Sequence, residues 1–68
     1  MMKWTDVEDI AISLEEKFPS QDILSLRFTH LQQMILELAD FSDEKERCNE
    51  KILESIQVHW LEEREDNA

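Results

Sequence analysis

FSDEKERCNEKILESIQVHW, residues Phe41 to Trp60, is the stretch whose reading decides the fold. Its first part is dense in charge: Asp43, Glu44, Lys45, Glu46 and Arg47 follow one another. Its second part places Ile52, Leu53, Ile56 and Trp60 at helical spacing, so they form one apolar stripe. Glu50 and Glu54 fall on the side away from Ile52 and Ile56. The stretch therefore predicts a helix with one face for a core and another for a negative surface. Two starts are open to it: Asp43 with Glu46 caps it early, and Asn49 caps it late. The early start is preferred, because 43–48 holds no helix breaker and is rich in helix formers. The helix is expected to run to about Arg64, with residues 65–68 fraying.

Working back toward the N-terminus, Thr29 and Gln32 have the spacing of a capping box and open a second helix. Leu31, Met34, Ile35 and Leu38 form its buried stripe, and Phe41 closes it. Leu36 lies off that stripe, either under the preceding connector or in solvent. Residues 20–28, SQDILSLRF, carry too few apolar positions for an independent helix. They read as a turn around Ser20 to Asp22, then a short helical turn or extended connector ending at Phe28. A first helix starts at Thr5, with Thr5 and Glu8 as its capping box and Asp6, Glu8 and Asp9 at the positive end of its dipole. Val7, Ile10, Ala11, Leu14 and Phe18 form its stripe. Pro19 ends it, because a proline pushes the residue before it out of helical geometry. Three helices with short connections and no convincing pair of strands predict an all-α, three-helix compact domain. The short Asp40 to Asp43 junction fits a helix-turn-helix arrangement of the second and third helices.

Size and composition narrow the function. A chain of 68 residues is one small domain at most. It buries only about 60% of its unfolded surface, which leaves a thin margin of stability. Its single cysteine excludes an internal disulfide and suits a reducing compartment. With no signal peptide in the sequence, a cytoplasmic location is expected. No apolar run approaches the roughly 20 residues a membrane helix needs. Seventeen Asp and Glu against seven Lys and Arg leave a net charge of −10. Nucleic acid and anionic membranes are thus poor partners, and a basic protein surface or a cation is the natural complement. The plain alternative is that the charge serves solubility alone. The chain has no glycine, so phosphate-cradling glycine loops are excluded.

Lys3-Trp4-Thr5-Asp6, Arg27-Phe28-Thr29, Asp40-Phe41 and Asn49-Glu50-Lys51-Ile52-Leu53-Glu54, followed by Trp60, occur in this order and spacing. In this pattern the chain resembles the IscX family, small acidic proteins of bacterial iron–sulfur cluster assembly. The resemblance runs from Lys3 to about Glu63. It implies a helical fold likened to a modified winged helix. It also implies binding to the cysteine desulfurase of the assembly machinery, at a surface shared with frataxin-like proteins. Weak iron(II) binding and a regulatory or iron-adaptor role without catalysis follow from it too. The chain departs from the family pattern after Asp40-Phe41. Members usually carry a denser acidic run ending in proline, whereas here Ser42-Asp43-Glu44 leads to Lys45. A metal site there is implied to be weaker than in a typical member.

The residues themselves offer one candidate site, the acidic cluster Glu37, Asp40, Asp43 and Glu44. Glu37 and Asp40, three apart, share a helix face. Carboxylates are hard ligands, and iron(II) stands low in the affinity series, so such a site is weak and unselective. Asp40, Asp43, Glu44, Glu50 and Glu54 are the candidate partner-binding residues. A solvated negative face is the competing reading. An EF-hand is excluded: counting twelve from Asp40 puts Lys51 at the bidentate position, and Lys45 stands where the turn glycine belongs. His30 and His59 have no second ligand at metal-site spacing. Cys48 lacks a nearby base. Trp4 and Trp60 are expected in the core rather than as interface anchors. The leading expectation is a monomeric interaction module with weak iron(II) binding. A purely electrostatic adaptor is the alternative. DNA binding is rejected, because Glu44, Glu46, Glu50 and Glu54 would face phosphates. No legible nucleophile–base pair or glycine loop suggests an enzyme.

Overall fold

A computed structural model describes residues 1–67. It contains three α-helices: α1 (Val7–Lys17), α2 (Phe28–Leu36) and α3 (Glu50–Asp66). The all-α, three-helix expectation holds. α3 packs mainly against α1, and α2 makes smaller contacts with both. The Cα radius of gyration is 10.8 Å, close to the ~11 Å expected of a folded chain this long.

Each helix buries the stripe its sequence shows. Ile10, Ala11 and Leu14 of α1 meet Leu31, Met34 and Ile35 of α2 and Leu53, Ile56 and Trp60 of α3 in one core. Val7, Phe18, Leu36 and Ile52 pack at its edge. Trp4 and Trp60 are both fully buried, as expected of packing residues. Their polar N–H groups are satisfied, as buried donors require. Trp4 Nε1 donates to the Glu44 carbonyl at 2.7 Å, and Trp60 Nε1 donates to Glu15 Oε1 at 3.0 Å.

The helix starts differ from those the spacing predicts. α1 begins after Asp6, and neither α1 nor α2 has a side-chain cap. The Asp6 carboxylate instead takes the backbone N–H of Lys3 at 2.8 Å. Gln32 Nε2 reaches across to the Lys45 carbonyl at 3.5 Å. Both expected capping boxes are therefore absent, and of their residues Gln32 is drawn into a contact with the α2–α3 connection. α3 takes the late start. Asn49 is its N-cap, and Asn49 Oδ1 accepts from Ile52 N at 2.9 Å. Residues 45–47 form only a single 3-10 turn. Helix propensity across 43–48 is overridden because Asp43 spends its carboxylate on other backbone groups. The connection between α2 and α3 consequently spans 37–49, well beyond the tight Asp40 to Asp43 junction expected.

The connector at 18–27 is irregular and buries Ile23 and Leu26 while leaving Leu24 exposed. α3 holds it through side chains. Gln57 Nε2 donates to the Ile23 carbonyl at 3.0 Å. The Arg64 guanidinium donates to the carbonyls of Phe18, at 2.9 Å, and Gln21. The carbonyls freed where Pro19 ends α1 are thus taken up by an arginine two helices later.

The remaining order comes from the N-terminus. Met2 and Phe41 form an isolated parallel β-bridge, the one extended pairing among the described residues. Met2 N donates to the Asp40 carbonyl at 2.7 Å, and Ser42 N donates to the Met2 carbonyl at 2.9 Å. Residues 2–4 thereby brace the junction that carries the candidate site.

Candidate functional site

The acidic cluster lies on the 37–49 connection, and its members do not behave alike. Glu37 caps the C-terminal end of α2, and its side chain is exposed. A carboxylate at that negative pole is unfavourably placed, so a cationic partner gains by approaching it. Asp40 is exposed, and its carbonyl is held by Met2. Glu44 is exposed, and its carbonyl is held by the Trp4 indole. In both cases the backbone is pinned while the carboxylate projects to solvent. Glu50 and Glu54 stand exposed one turn apart on α3. Asp40, Glu44, Glu50 and Glu54 make no ion pair among the described residues.

Asp43 is different, for its side chain is only 7% exposed. Oδ2 accepts the backbone N–H of Trp4 at 3.2 Å, and Oδ1 accepts the N–H of Glu44 at 2.7 Å. Arg47 Nη1 lies 3.7 Å from Oδ1. Burial pushes this carboxyl's pKa up. The two backbone donors, with Arg47 and Lys3, outweigh it and hold Asp43 below the usual aspartate value. Lys3, Ser42, Glu44 and Arg47 share an open cleft with Asp43, of about 360 Å³. Two cations thus face the one carboxylate whose oxygens are already engaged.

Among the described residues, no three His, Cys, Asp or Glu side chains converge in a way able to hold a metal ion. The four carboxylates that the sequence groups together thus do not form a preset three-donor cluster. Elsewhere, His30 is exposed, and His59 directs Nδ1 to the Ser55 carbonyl at 2.8 Å. Burial pushes the pKa of the half-buried Cys48 thiol up, against the lowering effect of hydrogen bonding with the Gln32 side chain and the Asn49 backbone, so it stays protonated. No described helix is long and apolar enough to cross a membrane.

Two supporting contacts escape a reading of the sequence. One is the brace of Lys3 and Trp4 on 42–44, including a Lys3 Nζ bond to the Ser42 carbonyl at 3.1 Å. The other is Glu15, whose Oε1 takes both Trp60 Nε1 and Arg64 Nε at 3.0 Å. Neither has a local spacing signal, because the partners are tens of residues apart.

Residues 2–65 match the family described as iron-sulphur cluster assembly. The chain belongs to that family. Nearly all of its ordered core falls inside the match, including the Met2–Phe41 bridge and the acidic connection. The chain is also 47% identical over 64 residues to an uncharacterized protein of Pseudomonas aeruginosa, covering 94% of this chain and 97% of that one. The family match places the pinned backbone and outward carboxylates of 37–54 in a protein associated with iron–sulfur cluster assembly.

Proposed function

We propose that this chain is an acidic, non-catalytic adaptor of the IscX type, acting on the cysteine desulfurase of iron–sulfur cluster assembly. Asp40, Glu44, Glu50 and Glu54 meet a basic face of the desulfurase, and long-range attraction steers the encounter. Glu37 adds to the same field. Asp43 contributes by shaping the connection. One observation supports this reading above the others: the exposed carboxylates of Asp40 and Glu44, without ion pairs among the described residues, stand on a backbone that residues 2–4 hold in place, and those of Glu50 and Glu54 are exposed on α3. Pull-down or calorimetry with the desulfurase tests it. Binding should weaken steeply as salt rises. Neutralising Asp40, Glu44, Glu50 and Glu54 together should abolish it. Undiminished binding by that variant overturns the proposal.

Iron(II) is held weakly in this reading, by whichever of Glu37, Asp40 and Glu44 a hydrated ion draws together. A purely electrostatic adaptor without iron is the second reading. The lack of three converging donors and the engagement of Asp43 favour it. An anaerobic iron(II) titration followed by amide NMR separates the two. Localised shifts in 37–54 support iron binding, and small diffuse shifts support the electrostatic adaptor.

A further inference from the structure

Met2 joins the brace to the core. Its backbone makes both hydrogen bonds of the bridge to 40–42, and the residue is 9% exposed within the core cluster. Ser13 Oγ donates to the Met2 sulfur at 3.6 Å. Met2 and Ser13 together line a solvent-open cleft of about 240 Å³ with Glu16, Lys17, Leu38 and Asp40. The cleft opens Met2 to solvent, and with it a path for a small oxidant. The other methionines differ in one respect each. Met1 is 96% exposed but takes no part in the bridge. Met34 is 4% exposed and does not line the cleft.

We propose that Met2 is an oxidation site, and that its sulfoxide releases the acidic junction from the N-terminal brace. The oxidant class is a peroxide. A sulfur lone pair attacks one oxygen of hydrogen peroxide and the O–O bond breaks. That oxygen stays on sulfur, the second leaves as hydroxide, and the proton on the sulfur-bound oxygen passes to it to give water. The thioether loses two electrons and the peroxide gains them. The product carries a strongly polar S–O group in a place built for an apolar side chain. Ser13 is the one hydrogen-bond partner that the sulfur has there, whereas solvent can satisfy the S–O group fully, so the side chain leaves the core. Residue 2 then loses its register against Phe41, and Asp40 and Ser42 lose their backbone partners. Methionine sulfoxide reductases reverse the change. This inference is independent of the desulfurase and of iron.

The test is brief hydrogen peroxide treatment of the full chain in a Cys48→Ser background, with peptide mass mapping and amide hydrogen exchange. Met1 should oxidise first, Met2 next and Met34 last. In the Met2 sulfoxide, the Met2 and Ser42 amides should lose about tenfold or more in protection, while Leu53 and Ile56 in α3 keep theirs. Met2→Leu should retain Ser42 protection after peroxide, and untreated Met2→Gln should lose it. Oxidation of Met2 no faster than Met34 overturns the proposal. So does unchanged Ser42 protection in the sulfoxide, or equal loss at Leu53 and Ile56, which reports global unfolding.

Discussion

The backbone N–H of Trp4 donates to Asp43 Oδ2 at 3.2 Å, across 39 positions of chain. This bond turns an acidic residue of the candidate site into part of the scaffold. Asp43→Ala leaves the N–H groups of Trp4 and Glu44 without their acceptor, so it should lower Tm clearly. Asp40→Ala, which touches only an exposed carboxylate, should leave Tm almost unchanged. Thermal melts of the two variants at neutral pH make the comparison.

The same bonds predict a pH dependence. Asp43 has its pKa depressed in the folded chain. A depressed carboxyl contributes stability that is present above its unfolded value and is lost as pH falls through the folded one. The unfolded value is about 3.9, so this contribution should be intact above about pH 5 and should fade below about pH 4. Side-chain NMR should place the Asp43 midpoint below the usual aspartate value. The stability gap between wild type and Asp43→Ala should close in acid. A gap that does not narrow as the pH falls below about 4 rejects the assignment.

Arg64 and Glu15 join the two ends of the α1–α3 pair. Arg64→Ala removes donors to Glu15 and to the carbonyls of Phe18 and Gln21. Its cost should be about 2 kcal/mol, since hydrogen bonds to charged groups are worth roughly 1.5–3 kcal/mol. Arg64→Lys should recover less than half, because an ammonium cannot spread its donors across a fork. Chemical denaturation of the three proteins measures this.

Caps provide a fourth comparison. Asn49→Ala removes the bond to Ile52 N and should cost about 1 kcal/mol. In a domain this small that lowers Tm by roughly 4–8 °C. Thr5→Ala and Thr29→Ala should each cost far less, since α1 and α2 have no side-chain caps. Equal losses at all three positions would contradict the structure.

The core was legible because periodicity survives folding. Ile10, Leu14, Leu31, Ile35, Ile56 and Trp60 stand inside where their spacing puts them. The helix ends were less legible, since Gln32 and Asp43 had local uses open to them and took distant ones, while Asp6 turned back to Lys3. The candidate site was readable as charge but not as arrangement. Runs such as Ser42-Asp43-Glu44 show how much negative potential a surface carries. They do not show that Asp43 turns inward to Trp4 while Asp40 and Glu44 turn outward. The pairing of Glu15 with Trp60 and Arg64 is invisible for the same reason, because tertiary neighbours 45 and 49 positions apart leave no local pattern.

The joining of residues 2–4 to residues 40–44 orders events when the protein is made. A ribosome releases the first few residues long before their partners, so the leading segment must wait unpaired while forty more emerge. The acidic junction thus cannot take shape until the chain has passed Glu44. A nascent chain shortened before Asp43 lacks the groups that Trp4 binds, whatever helices it has already formed.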